Sequence, residues 1–185
     1  STGGAADCHP VLAEVVYNPG NDPDELQWVK LYNPCNVAKD LTLYTLAYGG
    51  TFYTEGGRAK GLDMAAILQQ GTCYLVGGPT SSVLNGDPTL DLPEDFMPSL
   101  NTAETVGNAI GLFEGVENEI DGNSIPVDAV IYGPNNDSDL IDATGVAPTN
   151  AMVANPPQNG AIRRMQLDPV WTTSVTPTPN VCPTF

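Results

Sequence analysis

Three aspartates, Asp137, Asp139 and Asp142, crowd the segment Asn135-Asn-Asp-Ser-Asp-Leu-Ile-Asp142. Carboxylates so spaced offer the hard oxygen ligands that calcium takes, and a structural calcium is one reading of this loop. The other is a solvated turn, since Asn and Asp suit turns with or without a metal. A second stretch, Glu117-x-Glu119-x-Asp121-Gly122-x5-Asp128, imitates an EF-hand loop on paper. Pro126, the strand expected from Val127 and the lack of flanking helical segments make it an ordinary hairpin turn. Nucleophilic catalysis needs a histidine held by a second group beside the nucleophile. The one histidine, His9, adjoins Cys8 in the amino-terminal lead, with no triad partner and no zinc pattern around it. Paired carboxylates could serve a glycosidase. With 22 acidic residues such pairs arise by chance, and no catalytic residue is assigned.

Trp28, Lys30 and Tyr32 alternate along one segment and so share a strand face. That face could stack on a sugar ring or cover a partner's surface; loop insertions lying over it would bury it instead. Cys8, Cys35, Cys73 and Cys182 have no C-x-x-C spacing. An even count without metal spacing favours two disulfides and an oxidising compartment, the alternative being reduced thiols in a cytosolic core. Asn136-Asp137-Ser138 is formally a glycosylation acceptor, which matters only in a eukaryotic secretory pathway.

The elements that must position these side chains are short. Val11 to Tyr17 is rich in β-branched residues and closes on Asn18-Pro19-Gly20. Gln27 to Tyr32 alternates, with Val29 and Leu31 opposite Trp28, Lys30 and Tyr32, and stops at Asn33-Pro34. Strands are also predicted at Leu41 to Tyr48, Thr51 to Thr54, Cys73 to Val76, Ala109 to Phe113, Val127 to Tyr132 and Ala161 to Leu167, and one helical turn within Leu62 to Gln70. Short strands separated by turn signals predict an all-β fold, an antiparallel β-sandwich with long loop insertions. The insertions are 78–106 and 133–160, both longer than ordinary connections. If the first two strands form an antiparallel hairpin, Cys8 and Cys35 meet at its open end. Cys73 would then pair with Cys182 and pin the Thr-Pro-Thr-Pro tail to the body.

Composition narrows the function classes. Of 185 residues 41% are hydrophobic, too many for a disordered tail, while 19 Gly and 17 Pro suit many turns. We expect a flexible tether over residues 1–9 and a single sandwich domain over 10–185. Six basic residues against 22 acidic ones leave a net charge of −16, which repels nucleic acid and anionic lipid. The charge either keeps the protein soluble or attracts cations. No apolar run approaches the ~20 residues of a transmembrane helix, so membrane insertion by this chain is not expected. The start at Ser1 rather than Met reads as a mature or trimmed form.

Val11-Leu-Ala-Glu-Val-Val-Tyr-Asn-Pro19, Gln27-Trp-Val-Lys-Leu-Tyr-Asn-Pro34 and Asp40-Leu-Thr-Leu-Tyr-Thr-Leu46 together resemble the opening of a lamin-tail domain, most closely its bacterial members. Gly71-Thr-Cys-Tyr-Leu-Val76 is similar to the family's middle strand, and Val127-Asp-Ala-Val-Ile-Tyr-Gly133 to its late strand. Arg163-Arg164, Trp171 and Thr176-Pro-Thr-Pro-Asn180 resemble its closing segment. There are departures: Lys30 stands where a Glu is common, and Leu43-Tyr44 where Gly-Trp is. The resemblance implies an immunoglobulin-like sandwich that occurs as a module of exported or surface proteins, without a shared enzyme activity.

These readings lead to an extracellular, cell-surface or periplasmic monomer that is not an enzyme. It would bind a protein or polysaccharide at the cell surface through loops and the Trp28, Lys30, Tyr32 face. The alternative is a structural spacer held by disulfides, with or without calcium; a third is a metal-dependent hydrolase.

Overall fold

A computed structural model describes residues 8–20, 24–64, 66–100, 105–174 and 176–185. Its strands, in chain order, are β1 Val11–Val16, β2 Trp28–Tyr32, β3 Lys39–Asp40, β4 Tyr44–Gly49, β5 Ala59–Gly61, β6 Ile67–Leu68, β7 Cys73–Gly77, β8 Leu92–Pro93, β9 Asn108–Glu114, β10 Asp128–Tyr132, β11 Ala161–Gln166 and β12 Val170–Ser174. One sheet runs in the order β12-β11-β1-β2-β7-β8 and a second in the order β10-β9-β4-β5, while β3 and β6 form a ribbon. Every pair is antiparallel except β7 with β8. The chain is all-β, as its short alternating segments predict. Helix among the described residues is limited to three-residue 3-10 turns.

Period-two alternation explains how the sheets face each other. Leu12, Val15, Val29, Leu31, Val76 and Ile162 of the first sheet share one buried cluster with Leu46, Tyr48, Ile110, Leu112 and Val130 of the second. Each sheet thereby hides its apolar face against the other, the arrangement of a β-sandwich. β1 keeps its alternation through a bulge: Leu12 pairs with Leu31 and Glu14 with Lys30, leaving Ala13 as an extra residue. Leu12 and Val15 point inward, while Ala13 and Glu14 both point away from the core.

Strand directions give the sandwich two unlike ends. Val11, Tyr32 and Cys73 sit side by side at one end of the first sheet. Both disulfides lie there, Cys8–Cys35 with Cα atoms 5.7 Å apart and Cys73–Cys182 with Cα atoms 5.6 Å apart. This is the pairing read from the expected hairpin. The second sheet is oriented by Leu12, whose N–H donates to the Asp128 carboxylate near the disulfides, and by Tyr17 and Tyr132, stacked 4.4 Å apart at the other end. β1, β4, β7 and β10 finish at that other end, and the connections that follow them leave from it; two fold back along the sheets, Leu92–Pro93 beside β7 and Met152 and Val153 beside β10.

Three expectations need correction. Leu41 to Leu43 is a 3-10 turn rather than strand, because the Asp40 carboxylate caps it by accepting the Thr42 N–H at 3.0 Å. Thr51 to Thr54 is a turn, since the Glu55 carboxylate takes the N–H groups of Gly50 and Thr51 at 2.8 and 2.9 Å. The strand returning to β4 is β5 instead, with Ala47 opposite Ala59 and Thr45 opposite Gly61. Within 62–70 the described residues hold no helical turn; Ile67 and Leu68 pair with Asp40 and Lys39. Of the tether expected over 1–9, residues 1–7 lie outside the described residues, and Cys8 is bonded to Cys35. β12 was not anticipated as a strand. It pairs with β11 across Trp171 and Arg164.

Candidate functional site

Trp28, Lys30 and Tyr32 do share one face of β2, and that face is covered. Their exposures are 0%, 1% and 9%. From β12 the tail returns across the outer face of the first sheet to Cys182, bonded to Cys73. Lys30 is held on all three of its protons: Nζ donates to Glu14 Oε2 at 2.8 Å, to the Thr178 carbonyl at 2.5 Å and to the Val181 carbonyl at 2.8 Å. Glu14 also accepts from the Thr178 N–H at 2.9 Å, the Thr178 hydroxyl at 2.7 Å and Arg163 at 3.1 Å. Burial acts to raise the Glu14 pKa, but Lys30 and the Thr178 bonds outweigh it and hold the carboxyl below its ordinary range. Trp28 donates its indole N–H to the Asn85 carbonyl at 2.9 Å and packs with Val16, Leu75 and Ala161. Gly77 makes room for it, since a Cβ there would stand 2.5 Å from that of Trp28. Phe185 closes edge-on over Tyr32 at 5.3 Å. Lys30 and Tyr32 therefore hold the tail, Trp28 lies against the turn at Asn85, and the three offer no open platform.

The acidic loop is organised by an amide. Asn136, 3% exposed, donates from Nδ2 to the carbonyls of Leu140 at 3.0 Å and Pro148 at 2.7 Å, and its Oδ1 accepts the Leu140 N–H at 3.1 Å. These bonds also withdraw the formal glycosylation acceptor from solvent. Asp142 accepts the N–H and hydroxyl of Thr144 at 2.8 and 2.6 Å, while Asp137 and Asp139 face solvent. Among the described residues no three His, Cys, Asp or Glu side chains gather into a group that could hold a metal, so Asp137, Asp139 and Asp142 do not converge on a calcium site. The EF-hand imitation dissolves likewise: Glu117 and Glu119 sit on a 3-10 turn, and Asp128 is buried in β10.

Asp128 belongs to the frame. Arg164 donates from Nη2 to its two oxygens at 2.5 and 2.6 Å, and from Nε to the Leu12 carbonyl at 2.7 Å. The other Asp128 bond accepts the Leu12 N–H at 2.7 Å. The pair thus satisfies both backbone groups of Leu12, beside the bulge, and ties β10 to β1 and β11. Burial pushes the Asp128 carboxyl above its usual range, with Arg164 opposing. His9, from its position near the disulfides, bonds the neighbouring Pro10 carbonyl at 3.0 Å.

A further concavity lies elsewhere, along β5. It encloses about 490 Å³ between the turn at Thr54 and Gly57, the strand residues Ala59 and Gly61, and the segment Val116 to Ile120. Asp63 and Glu117 stand at Gly61: their carboxylate oxygens come within 3.6 and 3.4 Å of the point a Cβ would occupy there. Glu117 also accepts the Gly61 N–H at 2.9 Å. Sequence reading missed this cleft, although Gly57-Arg-Ala-Lys-Gly61, small at alternate positions, carries its signal. No helix among the described residues is long and apolar enough to cross a membrane. Searches of protein-family models, curated proteins and solved structures find no match to this chain.

Proposed function

We propose that this chain is a non-catalytic recognition module of an exported or cell-surface protein, a lamin-tail-type immunoglobulin-like sandwich that binds a protein or polysaccharide. The observation that carries the reading is polarity. Cys8 and Cys182 are both cross-linked at one end of the first sheet, whereas the long connections after β7 and β10 leave from the opposite end, where Val83 and Met97 are exposed. A domain attached at one end presents its other end to a partner, as loop-bearing sandwiches do. A spacer transmitting load in series is better served by attachment at opposite ends, so the same geometry favours recognition over spacing. The disulfides suit an oxidising environment outside the reducing cytosol. The three opening segments of the lamin-tail resemblance fall on β1, on β2 and on the Asp40-capped turn leading into β4, which supports that family reading.

The test is a binding screen of the intact, disulfide-bonded protein on a glycan array and on purified cell-surface proteins. Saturable binding weakened at least tenfold by Val83→Asp or Met97→Asp, residues 81% and 78% exposed on the far loops, is expected. Absence of saturable binding across the screen, or binding indifferent to every far-loop change, refutes the reading and returns the spacer.

A further inference from the structure

The cleft along β5 sits where the second sheet is incomplete. β10, at one edge of that sheet, is closed by Met152 and Val153: the Met152 N–H donates to the Ile131 carbonyl at 2.7 Å, and the Gly133 N–H to the Val153 carbonyl at 3.0 Å. β5, at the other edge, has β4 on one side only. The Tyr48 N–H donates to the Arg58 carbonyl and the Leu62 N–H to the Tyr44 carbonyl, so the bonded positions toward β4 are 58, 60 and 62. Antiparallel ladders alternate, and the N–H and C=O groups of Ala59 and Gly61 therefore point to the free edge. One of them already has a substitute acceptor, since the Glu117 carboxylate takes the Gly61 N–H as a neighbouring strand's carbonyl would. The groove follows the strand, from Thr54 and Gly57 at one end to Leu62 and Asp63 at the other.

We propose that this groove takes an extended peptide bearing lysine or arginine, which adds as a fifth strand beside β5 and displaces Glu117 from the Gly61 N–H. Backbone pairing with Ala59 and Gly61 supplies the register, as in other strand-addition complexes. The charge of the occupant follows from the groove. Asp63 and Glu117 face it, and a chain carrying −16 attracts a cationic segment while repelling a second copy of itself. A displaced Glu117 carboxylate then pairs with the incoming cation. The inference rests on the recognition reading above and gives that reading a second, defined surface.

The experiment selects a random decapeptide display library on the intact protein and measures the enriched peptides by fluorescence anisotropy. Enrichment of sequences with Lys or Arg among β-branched residues is expected, with affinity falling as salt rises. Ala59→Pro removes an outward N–H and no bond to β4, and should weaken binding at least tenfold while the fold melts cooperatively. Asp63→Asn should weaken it several-fold. Hydrogen exchange of the Ala59 and Gly61 amides should slow when peptide is added. No enrichment, or equal affinity for Ala59→Pro, overturns the assignment. Oligosaccharide binding lost in Asp63→Asn without peptide enrichment, or a dimer abolished by Ala59→Pro, overturns it in favour of those occupants. If far-loop binding persists while the groove selects nothing, the groove assignment alone fails.

Discussion

Arg164→Met isolates the buried frame in one substitution. The variant keeps a chain of similar length against Trp171, whose ring lies 4.7 Å from the guanidinium, and removes the charge. Asp128, 5% exposed, loses its counter-ion, and the carbonyl of fully buried Leu12 loses its donor. Orphaning one member of a buried pair costs about 3 to 5 kcal/mol. An unsatisfied buried carbonyl adds about 1 kcal/mol. The Leu167 carbonyl, bonded by Nη1 at 2.8 Å, belongs to a residue 43% exposed and can turn to water. A loss of about 4 to 6 kcal/mol lowers the melting midpoint by about 8 to 24 °C for a domain of this size. The loss carries a pH signature. In the variant buried Asp128 keeps its proton above 3.8, its ordinary pKa, while the unfolded chain has released it. The native state then binds more protons than the unfolded one, so stability falls by about 1.4 kcal/mol per pH unit as pH rises through that window. Urea titrations of parent and variant at pH 4.5 and pH 7 read the difference directly. Adding Asp128→Asn to Arg164→Met should recover part of the loss at pH 7 and flatten the slope. A variant within 1 kcal/mol of the parent, or one equally destabilised at both pH values, would refute the role assigned to Asp128.

Three further outcomes are expected. Replacing both cysteines of each bridge by serine should destabilise by about 3.5 kcal/mol for Cys8–Cys35 and about 4.8 kcal/mol for Cys73–Cys182, from loops spanning 27 and 109 residues in the chain-entropy account; urea midpoints give the order. Glu14, held below its ordinary 4.5, releases its proton more readily when folded, so its stabilisation is complete above 4.5 and is lost as pH falls through the depressed value. Phosphine reduction of Cys73–Cys182, compared with that of Cys8–Cys35, should accelerate on that acid side as the tail loosens; an unchanged ratio contradicts the Glu14 clamp. Asn136→Ala removes all three bonds that close the 136–148 turn, and should cost about 2 to 3 kcal/mol with faster exchange of the Leu140 amide. Full protection of that amide in the variant would show that the loop closes without it.

What the amino-acid order determined by itself is local. Alternating or β-branched runs placed β1, β2, β7, β9, β10 and β11, because a pleated strand repeats every two residues and one face must be apolar. The hairpin formed by two of those runs also brought Cys8 to Cys35. Shorter or unpatterned strands escaped: β3 and β6 have two residues each, and β5 is Ala-Lys-Gly, too small to show a buried face. Competing side chains decided other segments, as where Glu55 folds the β-prone Thr51 to Thr54 into a turn. The fate of each candidate site depended on contacts between residues far apart in the chain. Alternation placed Trp28, Lys30 and Tyr32 on one face, but only segments distant in the chain make that face interior: Lys30 lies 148 residues from Thr178, and Trp28 57 residues from Asn85. Likewise Asp128 reads as one acid among 22 until Arg164, 36 positions later, reaches it across the sandwich. Sequence periodicity records which side of a strand a residue occupies. What lies against that side is decided by the packing of distant segments, and so are the cover over β2 and the groove beside β5.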